Sequence, residues 1–569
     1  MQDPPPPVGE PGPRDPFDKF LEDEKRQVQF LLQEGAVALL RDSAKPHALL
    51  NMTDETFEPF QMGPIPTAFI TGEGYRLIFR MLKNGPVEVE LNITNSLSPK
   101  PVEVYNTVAD LRGTEKPDEM VILGAHLDSW DLATGTTDNG TGSMAVLEAA
   151  RALAKVGVKP KRTIRFVLFT GEEEGLVGSK EYVKAHKDEL NKISGVLVLD
   201  IGTGRVLTLG LHDDYQARAV VDQVIAPLGE LKLLEPSMRR TFGTDHASFD
   251  EVGVPGFWCL QAGAEYRLTH HSQSDTFDKA WKDDINQGAQ VLAAWAYNTA
   301  NLPEMLPRRP FTPPAPLTEG KEETPKVDPV AETDKKIVEQ VKSDEEQLKA
   351  SLTYLTTQIG PRLTGSPQLD QASHWTEEQF KSSGLVNVHL EPWRIANSWT
   401  RGPASGRVVW PAKHELTLAT AGWSPATNGT IKADLVMIEA TKPEDLVKYK
   451  GTLGGKIVMI KSPLELEAPK NPLLTPWGEE TLPVLFPSRN EPFDFSTYRR
   501  MREAANKMAA DEKAAALLMA SEKMYGLLNM SSQSREYEAA AVPSAFMARP
   551  ESSAMRRISA PPGTAKMKI

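Results

Sequence analysis

Cysteine is nearly absent from this sequence, which has one, Cys259, among 569 residues. A single cysteine excludes an intrachain disulfide and any metal site built from thiolates. Because its surroundings, GVPGFWCLQ, are mostly apolar, we expect Cys259 to be a buried and unreactive thiol. Any metal that the chain binds must therefore be held by nitrogen and oxygen ligands.

Other features that would point to particular functions are also missing. No apolar run approaches the ~20 residues of a membrane span, and the net charge of −13 argues against nucleic acid or an anionic membrane as a partner. The first residues, MQDPPPPVGEPGPRD, have neither the basic start nor the apolar centre of a signal peptide. There is no P-loop, HExxH or GxSxG motif. These absences argue against phosphate-binding loops, helical zinc-protease sites and serine-hydrolase sites.

Strands and helices alternate through the first half of the chain. Apolar residues at helical spacing predict helices over 141–157 and 213–228. Short runs of β-branched and other apolar residues predict four buried strands: EMVILGAH (119–126), RTIRFVLF (162–169), KISGVLVLD (192–200) and VPGFWCLQ (254–261). This alternation predicts an α/β fold with a mostly parallel sheet and helices on both faces. In such sheets, ligands bind at the carboxyl ends of the strands.

Histidines and acidic residues gather where these predicted strands end. His126 ends the first strand, Asp200 ends the third, and the second leads into GEEEG at 171–175. The loops TTDNGTGS and HHSQSDT (270–276) add Asp138 and a pair of histidines. Crowded carboxylates repel one another and resist ionisation unless a cation lies between them. Without thiols these ligands suit zinc, manganese or cobalt, and the number of carboxylates suits two ions better than one.

The motifs HLDSWD, TDNGTG, GEEEG, VLD and HHSQSDT resemble, in order and approximate spacing, those of the co-catalytic zinc exopeptidases. The resemblance implies an α/β domain of the zinc-exopeptidase type and a smaller β-rich protease-associated (PA-like) domain. It also implies two zinc ions per site, with other divalent metals possible. The implied ligands are His126 and Asp200 on one ion, Glu173 and His271 on the other, and Asp138 bridging both.

The same resemblance implies roles for residues that bind no metal. Glu172 takes the place of the general base, Asp128 is the carboxylate that orients His126, and Asp275 does a similar job near His271. We expect Glu174 at the surface. His270 is either part of the site or a partly exposed histidine beside it. The candidate residues of the substrate pocket are Trp130, Asp245, His246, Phe249 and Tyr266.

The implied activity is zinc-dependent hydrolysis of peptide bonds by an aminopeptidase or dipeptidase, with Glu172 accepting a proton from a metal-bridged water. The expected partner is a peptide or dipeptide substrate. Two alternatives stay open: a catalytically silent protein that uses the fold for interactions, and another amide hydrolase with the same dinuclear site. All five ligands and the base are present, which favours an enzyme. Relatives are usually secreted or extracytoplasmic, and the compartment of this chain is left open.

A local internal repeat complicates the order of the chain. Residues 512–531, EKAAALLMASEKMYGLLNMS, echo residues 34–53, EGAVALLRDSAKPHALLNMT, and VPSAF at 542–546 echoes IPTAF at 65–69. A repeat confined to these short stretches does not indicate a solenoid fold. In the zinc exopeptidases, a helical N-terminal segment and the PA-like domain precede the metal ligands, whereas the segments that resemble them here follow the ligands. The sequence therefore predicts two partial copies in circularly permuted order.

We divide the chain into seven segments on this basis. They are a proline-rich tail (1–16), the end of a PA-like domain leading into the catalytic domain (17–95), the metal-binding part of the catalytic domain (96–305), a proline-rich charged linker (306–335), the N-terminal segment of the catalytic domain (336–404), a PA-like domain (405–547) whose residues 512–547 repeat 34–69, and a tail (548–569). Two copies of one segment compete for one place. Either one copy is displaced, or the halves pair between molecules as a homodimer or domain-swapped oligomer. A gene fusion joined out of order is a further alternative.

Overall fold

The computed structural model describes residues 16–54, 56–241, 243–263, 266–308, 331–440, 443–461, 517–520 and 544–547. The chain forms two compact units, residues 1–472 and 473–569. Most of the predicted proline-rich tail, most of the linker and the whole C-terminal tail lie outside the described residues.

Helices and strands alternate through the first unit, and a strand pair is described in the second. The helices are α1 (Pro16–Gln33), α2 (Gly72–Asn84), α3 (Thr141–Val156), α4 (Val177–Ala185), α5 (Tyr215–Ile225), α6 (His246–Asp250), α7 (Tyr266–Thr269), α8 (Lys282–Ala300), α9 (Ala331–Ser343), α10 (Glu345–Thr353) and α11 (Pro367–Ser382). The strands of the first unit are β1 (Ala38–Asp42), β2 (Thr67–Ile70), β3 (Val87–Ile93), β4 (Ser96–Leu97), β5 (Val102–Leu111), β6 (Lys116–His126), β7 (Arg162–Phe169), β8 (Ile193–Val198), β9 (Val206–Gly210), β10 (Gly256–Gln261), β11 (Val386–Ile395), β12 (Trp399–Thr400), β13 (Ala404–Trp410), β14 (His414–Leu416), β15 (Leu418–Thr420), β16 (Ile431–Ile438) and β17 (Ile457–Ile460). The second unit contains β18 (Leu517–Ala520) and β19 (Ser544–Met547).

A seven-stranded sheet with the order β11-β5-β7-β6-β8-β10-β9 forms the larger half of the first unit. Its four central strands are parallel, since β6 pairs in parallel with β7 and β8, and β8 with β10. Strands β5, β11 and β9 join antiparallel at the two edges. The predicted α/β fold with a largely parallel core is confirmed, and the antiparallel edges are an addition to it.

Both faces of this sheet are covered by helices, as predicted. On β6, Val121 and Leu123 face a core shared with α3 and α8, while Met120 and Ile122 face a second core that includes residues of α4 and α6. Alternate residues of a strand point to opposite faces, so a continuous apolar run is what a sheet buried on both sides requires. This core fixes β6 rigidly and with it the residue at its carboxyl end.

A second sheet of eight strands has the order β14-β13-β3-β16-β17-β1-β2-β15. It combines strands from residues 38–93 with strands from residues 404–460, so distant parts of the chain meet in one sheet. Its core includes Leu40, Ile70 and Val89 from the first part and Met459 from the second. The sequence places the predicted PA-like domain in these two ranges.

The repeated segments form the same strand pairing in each unit. In the first unit β1 and β2 are parallel with Leu39 opposite Thr67, and in the second unit β18 and β19 are parallel with Leu517 opposite Ser544. These are equivalent positions of the repeat, so the register is preserved. The copy at residues 34–70 is the one that contributes two strands to the eight-stranded sheet.

The structure bears on the single cysteine and on the lack of long apolar runs. Cys259 is fully buried, and burial raises the pKa of its thiol above the usual value. The prediction of a buried cysteine is confirmed. Across the described ranges, no helix combines the length and apolar character needed to cross a bilayer.

Candidate metal centre

Four of the predicted site residues follow the ends of neighbouring parallel strands. His126 is the last residue of β6, Asp200 follows β8 by two residues, and Glu172 and Glu173 follow β7. Because β7 and β8 flank β6, these strand ends meet at one edge of the sheet. The chain passes from β6 to one neighbour and then to the other, so this edge is also where the strand order reverses, the usual position of a ligand site.

Asp138 lies between two imidazoles and presents a different oxygen to each. Its Oδ1 is 3.4 Å from His126 Nε2, and its Oδ2 is 3.6 Å from His271 Nε2. His126 Nε2 also lies 3.1 Å from Asp200 Oδ1, and His271 Nε2 lies 2.8 Å from Glu173 Oε2. The structure thus brings together all five residues predicted as ligands, in two groups that share Asp138.

The spacing and chemistry of these atoms fit zinc. A tetrahedral zinc ion with bonds of about 2.0–2.1 Å holds neighbouring ligand atoms about 3.3–3.5 Å apart. The distances of Asp138 to the two imidazoles, 3.4 and 3.6 Å, are close to this spacing, and the His126–Asp200 and His271–Glu173 distances, 3.1 and 2.8 Å, are shorter. Within the described ranges, Asp138 Oδ2 and Glu173 Oε1 are buried without a hydrogen-bond partner. Buried polar atoms are costly unless something satisfies them. A donor set of imidazoles and carboxylates without thiolates is one that zinc accepts.

The protonation of the cluster reflects a shortage of positive charge. Burial raises the pKa of Glu172 and of Glu173 well above the usual value, and neighbouring carboxylates add to the effect. Burial also raises the pKa of Asp200. For His126, burial lowers the pKa, but the charges of Asp200 and Glu172 outweigh it and raise that pKa well above the usual value. A bound cation removes this shortage and lets the carboxylates ionise.

Asp128 lies beside the ring of His126, on the side away from Asp138. His126 Nδ1 is 3.5 Å from Asp128 Oδ1 and 3.2 Å from the backbone carbonyl oxygen of Asp128. Asp128 Oδ2 accepts hydrogen bonds from the Glu173 amide at 3.3 Å and from the Thr364 hydroxyl at 3.2 Å. Contacts of this kind fix the tautomer and orientation of a metal-binding histidine.

Asp275 contacts the Asp138 segment, which differs from the expectation that it serves His271. Its carboxylate accepts hydrogen bonds from the amides of Thr137 at 2.6 Å and Asp138 at 3.1 Å. His271 is held instead through its backbone, because its carbonyl accepts a hydrogen bond from the Met52 amide at 2.9 Å. The φ angle of His271 is 51°, a left-handed conformation that few residues other than glycine adopt without such support.

Arg362 is a residue of this region to which sequence reasoning gave no role. It is fully buried, and its guanidinium donates to the carbonyl oxygens of Leu127 at 2.6 Å, Gly135 at 2.8 Å, and Thr134 and Gly360 at 3.0 Å. Three of these carbonyls belong to the loop between His126 and Asp138. The sequence signal was the segment GPRLTGSP at 360–367, which resembles the zinc exopeptidases but carries no ligand.

The predicted pocket residues occupy different surroundings. Trp130 lines a small cavity, here called the site cavity, together with Met52, Asp138, Glu173, His271 and Asp275. Tyr266 lies beside the histidine pair, with its ring 5.1 Å from that of His270. Asp245 and His246 are fully buried, and burial raises the pKa of Asp245 to about 7. Phe249 packs in the core with Phe169 and Tyr182.

Two residues adjacent to the predicted ligands have distinct positions. Glu174 is 4% exposed, so the prediction of a surface position is wrong; the turn that carries GEEEG folds this side chain inward. His270 stacks on His271 with ring centroids 3.7 Å apart, and its Nε2 is 4.0 Å from Asp138 Oδ2. Among the described residues, Asp138, His270 and His271 form one of two groups that could hold an ion, and His126, Asp138 and Asp200 form the other.

Comparison with known proteins places the site in a family context. Residues 106–296 match the sequence profile of Peptidase family M28. Carboxypeptidase Q of Xenopus laevis is 35% identical over 284 residues, which is 48% of this chain and 58% of that protein. Leupeptin-inactivating enzyme 1 of Streptomyces exfoliatus is 38% identical over 170 residues, 29% of this chain and 37% of that protein.

The solved structures include a Peptidase M28 precursor from Shewanella amazonensis SB2B at 30% identity and a TM-score of 0.41, covering 48% of this chain and 62% of that one. The chain spans little more than half the length of the carboxypeptidases Q that it matches, 58% and 52% for the proteins of Xenopus laevis and Homo sapiens.

Proposed function

We propose that the protein is a zinc-dependent exopeptidase of the aminopeptidase or dipeptidase type, a proposal supported by the match of residues 106–296 to Peptidase family M28. The observation that carries the proposal is the position of Asp138, whose two oxygens face His126 and His271 separately. A carboxylate shared by two groups of ligands is the arrangement that a pair of ions requires. The substrates we propose are peptides or dipeptides.

We assign two zinc ions to the centre. His126 and Asp200 would hold one ion and Glu173 and His271 the other, with Asp138 shared between the two groups. When bound, such ions would polarise the scissile carbonyl and lower the pKa of water toward neutrality. His270 is assigned to neither ion, although it adjoins the second group.

Glu172 is the residue to which we assign the proton transfers. Its Oε2 lies 3.9 Å from His126 Nε2, at the edge of the ligand groups, and its side chain is 10% exposed. A carboxylate at this position lies within reach of a substrate or water held by the ligand groups, which is the geometry that proton transfer requires. In this scheme Glu172 accepts a proton from the attacking water and gives it to the leaving amine, while Asp128 keeps His126 in the orientation that the centre needs.

The proposed organisation of the chain is a permuted zinc exopeptidase. Segments 96–305 and 336–404 make up the catalytic domain in this proposal, supported by the pairing of β11 with β5. Segments 17–95 and 405–461 make up the PA-like domain, supported by the pairings of β13 and β16 with β3. The copy at 512–547 is then redundant within one molecule, and exchange of this segment between molecules is the route to a homodimer that the repeat predicts.

The test compares three variants of the full chain with the wild type. Glu172→Gln is expected to lower kcat for aminoacyl-anilides and dipeptides at least about 100-fold, the scale of general acid–base catalysis, while zinc content stays unchanged. Asp138→Ala is expected to lose zinc. Glu174→Gln is the matched control in the same turn and is expected to keep most of the turnover and the metal. Chelation should abolish wild-type cleavage and added zinc restore it; full turnover by Glu172→Gln would refute the mechanism.

A further inference from the structure

Lys45 is a cation at the edge of an otherwise acidic centre. It lies in the loop after β1, its residue is 9% exposed, and its Nζ donates a hydrogen bond to the carbonyl oxygen of Arg267 at 2.9 Å. Arg267 belongs to α7, which ends two residues before His271. The ammonium therefore lies on the His271 side of the centre.

The loop that carries Lys45 is fixed against the loop that carries His271. The Leu50 amide donates to Gln273 Oε1 at 2.7 Å, and Gln273 Nε2 donates to the Ala48 carbonyl at 3.0 Å. The Met52 amide adds the hydrogen bond to the His271 carbonyl at 2.9 Å. These three hydrogen bonds fix the loop after Lys45 on the loop of His271, and the bond from Lys45 Nζ to the Arg267 carbonyl holds the side chain itself. A residue that recognises a substrate group requires such a fixed position.

Lys45 differs from the other cations of the region in what its donors contact. Arg362 uses its guanidinium on four backbone carbonyls. Arg401 forms a two-point ion pair with Asp131 at 2.7 and 2.8 Å. In the part of the chain that the structure describes, Lys45 Nζ has one carbonyl partner and no carboxylate within ion-pair distance. Two of its three N–H groups are thus left for a ligand.

We propose that Lys45 is a specificity-determining residue that binds the free α-carboxylate of the residue following the scissile bond. The inference rests on the proposed exopeptidase function. Lys45 brings a positive charge with two N–H donors to the His271 side of the centre, which suits an anionic group of a substrate. The α-carboxylate of a dipeptide lies within about one residue, ~3.5 Å of extended chain, of the scissile bond. Lys45 therefore favours substrates whose α-carboxylate is free.

The experiment measures kcat/KM on three substrates: alanyl-alanine, alanyl-alaninamide, and alanyl-glutamate with an amidated α-carboxyl. The wild type is expected to prefer the dipeptide to its amide at least about 10-fold, since charge-assisted hydrogen bonds have this magnitude. Lys45→Met should lower that preference about 10- to 100-fold, chiefly through KM. Lys45→Arg should retain most of it. The control is Lys523→Met, the position that the repeat aligns with Lys45, which should leave all three substrates unaffected.

Binding separates this inference from the proposed function. The dissociation constants of the dipeptide and its amide are measured by calorimetry on zinc-loaded Glu172→Gln, with and without Lys45→Met. If Glu172→Gln binds the dipeptide more tightly than its amide, and Lys45→Met removes this preference, the carboxylate site is supported. This holds even if the wild type hydrolyses no substrate, a result that would count against the exopeptidase function alone. Equal cleavage of dipeptide and amide overturns the role of Lys45 and leaves the exopeptidase standing. The role of Lys45 is also overturned if Lys523→Met loses the preference for the dipeptide and Lys45→Met keeps it. Preference for the glutamate side chain over the α-carboxylate also overturns the assignment.

Discussion

Replacing Arg362 with methionine tests how strongly the segment after the linker supports the metal centre. The guanidinium is fully buried and donates to the carbonyls of Leu127, Thr134, Gly135 and Gly360 at distances of 2.6–3.0 Å. Methionine keeps much of the side-chain length but has no N–H donor. The Gly135 carbonyl also accepts a hydrogen bond from the Gly140 amide at 3.0 Å. The variant therefore leaves the other three carbonyl oxygens without the donor that now satisfies them.

The expected magnitude follows from the three bonds whose acceptors lose their donor. A buried acceptor that loses its donor costs about 1–3 kcal/mol, so three of them correspond to about 3–9 kcal/mol. Part of this is offset because burial of the guanidinium is itself unfavourable, as the lowering of the Arg362 pKa to about 10 by burial indicates. We therefore expect a net loss near the lower figure, about 3 kcal/mol, which is a large fraction of the 5–15 kcal/mol typical of a folded domain.

The assay is urea unfolding followed by tryptophan fluorescence, with zinc content measured on the same samples. With an m-value of about 3 kcal/mol/M, a loss of about 3 kcal/mol lowers the midpoint by about 1 M. Arg394→Met on β11 is the matched control: its side chain is 77% exposed, and exposed substitutions change stability by less than about 0.5 kcal/mol. A loss below about 1 kcal/mol in Arg362→Met, with zinc retained, would refute the reasoning.

The remaining predictions concern Lys45 and the repeated strands. Burial lowers the pKa of Lys45 to about 8, so its ammonium is lost as pH rises through about 8; the preference for a dipeptide over its amide should fall there in the wild type and persist in Lys45→Arg. The charged or titratable groups around it are Arg267, Asp138, His270 and His271. For the repeat, Leu40→Asp places a charge in a fully buried position of the eight-stranded sheet, so zinc content and thermal stability should fall. Leu518→Asp, at the equivalent position of the second copy, should leave zinc content unchanged; loss of zinc in Leu518→Asp would contradict the assignment of β1 to this sheet.

Local patterns were sufficient to predict the centre of the seven-stranded sheet. The apolar runs ending in His126 and Asp200 are strands buried on both faces, and such runs have few other ways to fold. Parallel neighbours then bring their carboxyl ends together whatever the intervening loops contain. That is why residues more than 70 positions apart, His126 and Asp200, could be expected in one cluster, where their side chains are 3.1 Å apart.

Contacts made between distant segments could not be read in the same way. Thr364 and Arg362 reach the loop after β6 from more than 220 residues away, and no periodicity in either segment encodes that meeting. The antiparallel edges added by β5 and β11 depend on the same long-range pairing. Glu174 was misplaced because a run of acidic residues ordinarily indicates a solvated surface, whereas the turn here packs its third glutamate inside.

The bond from Thr364 to Asp128 spans 236 residues, and this separation constrains how the molecule folds. The entropy of closing a loop grows as about (3/2)RT ln n, so closing 236 residues costs about 2 kcal/mol more than closing 20. Contacts within the β6–α3–β7–β8 stretch involve much shorter loops and form earlier on that account. The proposed metal ligands on these strands are therefore expected to come together before Thr364 and Arg362 dock. Docking of the segment at 360–364 then adds the hydrogen bonds to Asp128 and to the loop after β6.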